Sequence, residues 1–594
     1  MLQKTKKIFK KFDIFLNLNA YYKKIKKKIS IAYVQISLEE RLKQLKKLKN
    51  KRIYYLDKKL SILTNQKENI FVFFDIADPP KKNSFLEETY ILIDSNDLAT
   101  YSFLMSYLEE VFHKNIFILF YGKMEFCGGT LISPKNIKSM EWLLFNHFLD
   151  YFKISTPLLT FYYEKINNEI INYNKILLGP RKIISNKISS FNSNDQIVVS
   201  YFCLNPILAS GSHYRWRAQY EIIDNNNSPT TNHATHSFEF PENKSSTSFF
   251  NPKIDKESEL NIVVSESKNS QILNDKFLEV DSENFYKKFH FSNIYSNISS
   301  KDRISKQSYF NPSGYYFIRS KNCISGNHLI SRNDADNKIE KYENKIIEKI
   351  KLTKKNNIIY NPFVSPIVKD DICFGINWPI IKGKFKLNIY QTLKKTNTAV
   401  EITENNSFIK FIDIIENPSQ DELVITHVNW EQDNLNSAFN QPDLIAFNKL
   451  SNDWDITEFQ PSWRNQKFHI EELPHWLGKF KGLNPSCNIC GGANLSFFEK
   501  NLILLTAQDP KIIEKKIITV QIFFYNKDGQ VLEIENHIFE NDKAFFIDIK
   551  NSIKKHKDEK TIWYNIKSAN TDLICYIIQV TKEKKLSIQH LWGY

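Results

Sequence analysis

From about residue 185 to its end, the sequence consists of short stretches in which apolar and polar residues alternate, separated by turns rich in Asn, Asp and Lys. A period of two puts successive side chains on opposite faces of an extended chain, so this texture predicts half-buried β-strands. Phe385-Lys-Leu-Asn-Ile, Leu423-Val-Ile-Thr and Ile518-Thr-Val-Gln-Ile are clear examples. With 594 residues the chain is too long for one core, and several modules are expected.

The order of these strands suggests an internal repeat. Asn261-Ile-Val-Val, Phe277-Leu-Glu-Val, Gly314-Tyr-Tyr-Phe-Ile-Arg and His328-Leu follow one another. The C-terminal segment has a matching series: Ile518-Thr-Val-Gln-Ile, Val531-Leu-Glu-Ile, Ile574-Cys-Tyr-Ile-Ile and His590-Leu. Tyr214-Arg-Trp-Arg-Ala-Gln-Tyr with His236-Ser-Phe ends a third, shorter unit. Each unit has the size of a β-sandwich module and a histidine near its last strand. His233 and His236 also form a His-x-x-His pair. Separate sandwiches would hold these histidines far apart, so hydrogen bonding that closes each last strand is their expected role.

The expected class is therefore a multi-domain, predominantly β protein of repeated β-sandwich-like modules, with a small α/β domain and a basic N-terminal helix. The expected divisions are a basic amphipathic helical segment (1–66), an α/β domain (67–180), a β module (181–240) and a linker (241–258). A β-sandwich-like module (259–333), a charged helical linker (334–357), a β module with a Trp-rich cluster (358–470) and a C-terminal β-sandwich-like module (471–594) follow. In the α/β part, Ile70–Ile76, Tyr90–Ile93 and Ile116–Tyr121 have strand length, while Leu98–His113 and Ile137–Phe152 have helical length and pattern.

Charge separates the ends of the chain. The net charge is +15, and residues 1–60 carry 19 Lys or Arg against four acids, so the remainder is neutral overall. Ser37-Leu-Glu-Glu40 has the form of a capping box, and Leu38, Leu42, Leu45, Leu48, Ile53, Leu56 and Leu60 continue a stripe. Such a helix packs its stripe on the body or docks on an anionic membrane surface, where each Lys contributes about 1 kcal/mol. A neutral body argues against nucleic acid as the partner. Seven dispersed cysteines and no apolar run of spanning length point to a cytoplasmic protein, peripheral at a membrane if the basic segment docks there.

Few motifs suggest chemistry. Cys127-Gly-Gly-Thr-Leu-Ile-Ser resembles the segment before the catalytic histidine of trypsin-like serine proteases. That family also needs a Thr-Ala-Ala-His-Cys box and a Gly-Asp-Ser-Gly-Gly nucleophile loop, which the sequence lacks, so acyl transfer is not expected. Cys490-Gly-Gly-Ala is a second echo of the same kind. Cys487 and Cys490 form the one Cys-x-x-Cys; with His469 and His475 upstream they make a candidate structural zinc site.

Aromatic and polar residues are densest between 430 and 476. Trp430, Asp433, Asp453, Trp454, Asp455, Trp463 and Trp476 are the candidate ligand residues, since flat rings stack on sugar C–H faces while carboxylates and amides bond hydroxyls. The expected function is non-enzymatic, multi-module binding, with a carbohydrate or envelope polymer as the leading ligand and protein partners also in view. The rival classes are an enzyme of glycan or nucleotide-sugar chemistry, using Asp75 and Asp78 or Asp453 and Asp455, and a structural assembly factor.

Overall fold

A computed structural model describes residues 33–39, 42, 51–57, 60, 70–75, 78–81, 89–94, 116–132, 137–146, 158–166, 169–179, 181–189, 197–206, 218–233, 245–250, 259–267, 291–298, 304–309, 312–319, 324–328, 358–378, 384–403, 406, 408–430, 442–458, 487–507, 516–568 and 573–591. The protein is predominantly β, and most strand pairs are antiparallel.

The chain opens with β1 (Tyr33–Ile36), β2 (Arg52–Tyr55), β3 (Ile70–Phe73) and β4 (Thr89–Asp94). Strand β2 runs parallel to both β3 and β4, and β4 runs parallel to the first part of β5 (Ile116–Ile132), giving the order β3-β2-β4-β5. Ile53, Tyr55 and Leu92 form its core, against which Leu38 and Leu42 pack. Leu38, Leu42, Ile53 and Leu60 of the stripe therefore pack in the body. The six-turn helix expected to reach Leu60 is interrupted, because Ile53-Tyr-Tyr is β-branched and aromatic and enters the sheet as β2. The expected helix at 98–113 lies outside the described residues.

Strand β5 has 17 residues and belongs to two environments. Residues 116–121 pair with β4, and residues 124–132 pair antiparallel with β10. Beyond β5 come β6 (Ile137–Phe145), β7 (Leu158–Ile166), β8 (Glu169–Leu178), β9 (Ile183–Ser189), β10 (Ile197–Pro206), β11 (Gln219–Asp224) and β12 (Pro229–His233). They make two sheets, β5-β10-β7-β8 and β12-β11-β6-β9, whose pairings cross residue 180. Segment 137–145 is thus a strand where its apolar pattern predicts a helix. It lies between β9 and β11 and is buried on both faces, which removes the alternation that would mark it.

Next come β13 (Ser245–Phe250), β14 (Glu259–Ser267), β15 (Phe291–Ile298), β16 (Ile304–Tyr309), β17 (Pro312–Arg319) and β18 (Ile324–His328). They pair as β13-β16 and β15-β14-β17-β18.

The following group is β19 (Ile358–Pro366), β20 (Val368–Lys369), β21 (Ile372–Asn377), β22 (Lys384–Gln391), β23 (Asn397–Thr403), β24 (Phe408–Lys410), β25 (Leu423–Trp430), β26 (Asp443–Asn448) and β27 (Trp454–Glu458). Its sheets are β19-β25-β22-β23 and β20-β21-β26-β27, with β24 also on β21.

The last group is β28 (Cys487–Asn494), β29 (Lys500–Ala507), β30 (Ile517–Tyr525), β31 (Val531–Glu540), β32 (Phe545–Asp548), the one-turn helix α1 (Ile549–Ser552), β33 (Thr561–Ser568), β34 (Leu573–Val580) and β35 (Leu586–Leu591). These strands order as β28-β33-β30-β31 and β32-β29-β34-β35.

The two C-terminal sheets face each other across one core. Ile518, Val520, Ile522 and Phe524 point inward from β30 and meet Ile503 and Leu505 of β29 and Ile577 of β34. Strand β34 is buried along its whole length. Its odd positions enter this core, while Ile574, Tyr576 and Ile578 enter a second core with Phe374, Leu387 and Leu444. That double burial explains the unbroken apolar run Leu573–Ile578. Docking of the last group on the first is also specific. Trp563 Nε1 donates to the Arg181 carbonyl at 2.8 Å, and its ring lies between Tyr525 and Phe145. Gly529, with φ of 83°, closes the Asn526–Gly529 turn; a Cβ there would stand 2.9 Å from the Arg181 carbonyl oxygen.

Candidate functional site: the last-strand hub and an inter-sheet groove

Four strands from four sheets meet at one place. Strand β12 lies against β35 and β18, and β27 lies against the same two, so the four close a ring of contacts. Each is the final strand of its group and an edge of its sheet. An edge strand carries N–H groups with no ladder partner, and burying them unpaired would cost roughly 1–3 kcal/mol each.

Side chains of β27 and the residue before it solve this for β35. Asp453 Oδ2 accepts from the Leu586 N–H at 2.7 Å, Asp455 Oδ2 from Ile588 N–H at 2.8 Å, and Thr457 Oγ1 from His590 N–H at 3.1 Å. The period of two on both strands makes this clasp possible: alternate side chains of one meet alternate amides of the other. On their other oxygens Asp453 and Asp455 accept from Ser228 and Thr230 hydroxyls of the β12 side. Thr231 donates to Gln579 Oε1 at 2.9 Å, and Gln579 Nε2 donates to Asn501 Oδ1 and to Glu221 Oε1. Gln219 bonds both backbone groups of Gly492 through its amide, as another strand would.

The hub holds carboxyls away from water. Burial, with Glu141 nearby, pushes the Glu221 carboxyl up to about 8. Burial likewise pushes Asp453 up to about 6, against the Leu586 N–H and Lys585, which lower it. Where β12 meets β35, His233 and His590 are both buried, with ring centroids 4.8 Å apart and nearly perpendicular.

Three of the expected ligand residues lie in the hub. Trp454, Asp453 and Asp455 are buried and belong to the hub, so they offer no open sugar-binding face. Trp430 is the last residue of β25, opposite Ile358. Asp433, Trp463, Trp476, His469 and His475 lie outside the described residues, as does His236. Cys487 and Cys490 sit on β28, which pairs with β33 without a register shift. Cys490 is buried and accepts from Asn565 Nδ2 at 2.9 Å. Gly491 after it has a packing reason: a Cβ there would stand 2.5 Å from the Tyr564 hydroxyl oxygen.

A second feature is a groove of about 470 Å³ where the two C-terminal groups adjoin. Lys369 and Asp370 come from the β20 turn; Lys500, Glu535, His537, Phe545, Phe546, Asp548, Asn551 and Ser552 come from the last group. Lys369 Nζ lies 5.1 Å from the Phe546 ring centre, and His537 packs on Phe545. Glu535 Oε2 is held by His537 Nε2 and by the Ser552 hydroxyl, both at 2.9 Å. Asp548 caps α1 through the Lys550 N–H, and burial raises its carboxyl. Asp75 and Asp78 follow β3, at the carboxyl end of the parallel sheet, and lie in neither feature.

Glu221, Gln579 and the groove residues carry no motif in the sequence, and His233 stands out only through its His-x-x-His pairing with His236. The nearest signal is the histidine shared by the last strands, which identifies His590 and His328. Among the described residues no helix is long and apolar enough to cross a membrane, and no three His, Cys, Asp or Glu side chains are grouped to hold a metal.

No family model matches the chain, and no curated protein matches it. Among solved structures, a glycoside hydrolase family 32 protein from Bifidobacterium adolescentis aligns over 78% of this chain and 96% of its own, at 7% identity and a TM-score of 0.11. A likeness at that level carries no argument about fold or activity.

Proposed function

We propose that the chain is a non-enzymatic binding scaffold of repeated two-sheet, β-sandwich-like units, and that the groove takes a polar, ring-bearing ligand of the carbohydrate class. Matching strand orders support the repeat. The order β19-β25-β22-β23 corresponds strand for strand to β28-β33-β30-β31 and to β5-β10-β7-β8. The order β24-β21-β26-β27 corresponds likewise to β32-β29-β34-β35 and to β9-β6-β11-β12. The β13–β18 group supplies β13-β16 and β15-β14-β17-β18, the equivalents of β28-β33 and of the full second sheet. The parallel order β3-β2-β4-β5 supports a small α/β domain ahead of these units, since parallel neighbours need crossover connections.

The ligand reading rests on the groove. It joins half-buried phenylalanine rings with ammonium, carboxylate, amide and hydroxyl groups from two units, the mixture that sugar rings and hydroxyls require. Binding is favoured over catalysis because Glu535 is engaged by two side chains and Asp548 by a helix N-terminus. Titrating the full chain with a panel of soluble oligosaccharides by calorimetry tests this. Phe546→Ala is expected to weaken the best ligand at least tenfold, with unfolding still cooperative. Equal affinity in the variant, or no binding across the panel, would refute the reading.

Membrane docking is a separate proposal for the N-terminus. Residues 1–32 hold ten lysines and one aspartate, whereas residues 33–60 contribute β1, β2 and core side chains. Deleting 1–32 should abolish sedimentation with phosphatidylserine vesicles at ~0.1 M salt and leave the melting temperature unchanged. Undiminished vesicle binding would rule out the basic segment as the anchor.

A further inference from the structure

We propose that the edge strand β31 pairs with the same strand of a second copy of this chain, joining two sheets into one across a twofold axis. A regular edge is a template for another chain, and proteins ordinarily blunt it with Lys, Pro, a bulge or a covering element. Among the described residues β31 has one strand neighbour, β30, and their pairing is regular from Glu533 to Glu540. That stretch, Glu-Ile-Glu-Asn-His-Ile-Phe-Glu, contains no Lys and no Pro. The register shift between the two strands lies at Tyr525, at the turn end.

Alternation assigns the two faces of the strand. Glu533, Glu535, His537 and Phe539 stand opposite Phe524, Ile522, Val520 and Ile518, which enter the core, so this face is inward. Ser552 and Lys555 engage Glu535 and Glu533 there. Ile534, Asn536 and Ile538 face outward, and the two isoleucines are 49% and 69% exposed. Phe523, half-buried, lies opposite Ile534 on the same face. Strand β23, at the same place in its own sheet order, is built differently. It turns Asn397, Ala399 and Glu401 to solvent, and Glu401 pairs with Lys384 at 2.9 Å.

Self-complementarity identifies the occupant. A twofold axis perpendicular to the sheet keeps the inward faces together and sets one residue of β31 opposite itself. With Asn536 on the axis, Ile534 meets Ile538 of the second copy, and Ile538 meets its Ile534. Glu535 and His537 meet in the same reciprocal way, which places a carboxylate beside an imidazole twice. Other registers fit worse. Glu535 on the axis would oppose two carboxylates, and Ile534 there would set Glu533 against Glu535. His537 on the axis would leave Ile538 beside Asn536 and Glu535 beside Phe539. The chain beyond residue 60 carries no net charge, so it does not drive the copies apart. One strand pair is a contact at the small end of protein interfaces, so a dissociation constant on the order of 10 µM is expected. The inference does not rest on what the groove binds.

Sedimentation velocity of the full chain, from about 1 to about 100 µM in ~0.15 M salt, should show a monomer–dimer equilibrium. A single monomeric species throughout overturns the proposal. Ile538→Lys puts a charge on the exposed edge; it should weaken association at least tenfold and leave the melting temperature unchanged. Association at wild-type strength in that variant also overturns the proposal. Cysteine cross-linking tests the register. Asn536→Cys sets two thiols opposite each other on the axis, within the roughly 4.4–6.8 Å Cα separation a disulfide spans. Gln521→Cys, one strand further in on each copy, leaves three strand spacings, roughly 14 Å. With oxidised glutathione as the oxidant, which takes up the two electrons of each disulfide formed, N536C should yield more covalent dimer than the wild type or Q521C. A yield no higher than theirs would show that β31 does not pair with itself about Asn536.

Discussion

Replacing Asp455 with alanine should destabilise the protein by roughly 2–4 kcal/mol, measured as a lowered denaturant midpoint with little change in slope. Asp455 is fully buried, and its carboxylate accepts from the Ile588 N–H, the Ile456 N–H and the Thr230 hydroxyl. Alanine removes all three acceptor contacts and leaves the edge amide of Ile588 in a place water does not reach. Asparagine keeps one acceptor oxygen and should cost less. A change under about 0.5 kcal/mol for alanine, the size expected at an ordinary surface position, would mean that the clasp between β27 and β35 is not a stabilising contact.

The second large effect is on pH dependence. Glu221 has its carboxyl pushed up to about 8 in the folded protein, against an ordinary value of 4.5. When the folded value is the higher one, the folded state keeps the proton longer than the unfolded state does. The group's contribution is then complete below about pH 4.5 and is lost as pH rises towards 8. Asp453, pushed up to about 6 from 3.8, adds a loss in the same direction at lower pH. Together these predict a melting temperature that falls between roughly pH 5 and 8. Glu221 accounts for roughly 3–5 kcal/mol of that loss. Glu221→Gln is neutral at every pH and should flatten the upper part of the curve. A parallel curve for the variant would mean that Glu221 is ionised in the folded state.

The strands of the C-terminal half were readable because Ile518, Val520 and Ile522 alternate with polar residues facing water, the arrangement a one-sided sheet imposes. Segment 137–145 was not, because a strand with neighbours on both sides and buried faces loses alternation. Strand β2 was masked for a different reason: Ile53 fits the preceding Leu stripe by spacing, and only the clustered Ile-Tyr-Tyr marks it as β.

The hub illustrates a harder limit. Asp453 and Asp455 beside Trp454 read as a solvent-facing ligand cluster, since nothing local distinguishes a carboxylate facing water from one facing a distant strand's amides. Their partners lie 133 residues away at Leu586 and Ile588. The shared histidine of the last strands was visible, but the expectation that separate modules keep such residues apart concealed that His233 and His590 meet. Only closure of the ring brings them together.

Hydrogen exchange followed by mass spectrometry on the wild type and Asp455→Ala tests that closure most directly. If the four last strands form one cooperative hub, the variant should lose protection in peptides covering 454–458, 586–591 and 229–233 together, three segments spread over more than 350 residues of sequence. Loss confined to the peptide containing residue 455, with 586–591 and 229–233 as protected as in the wild type, would contradict the account.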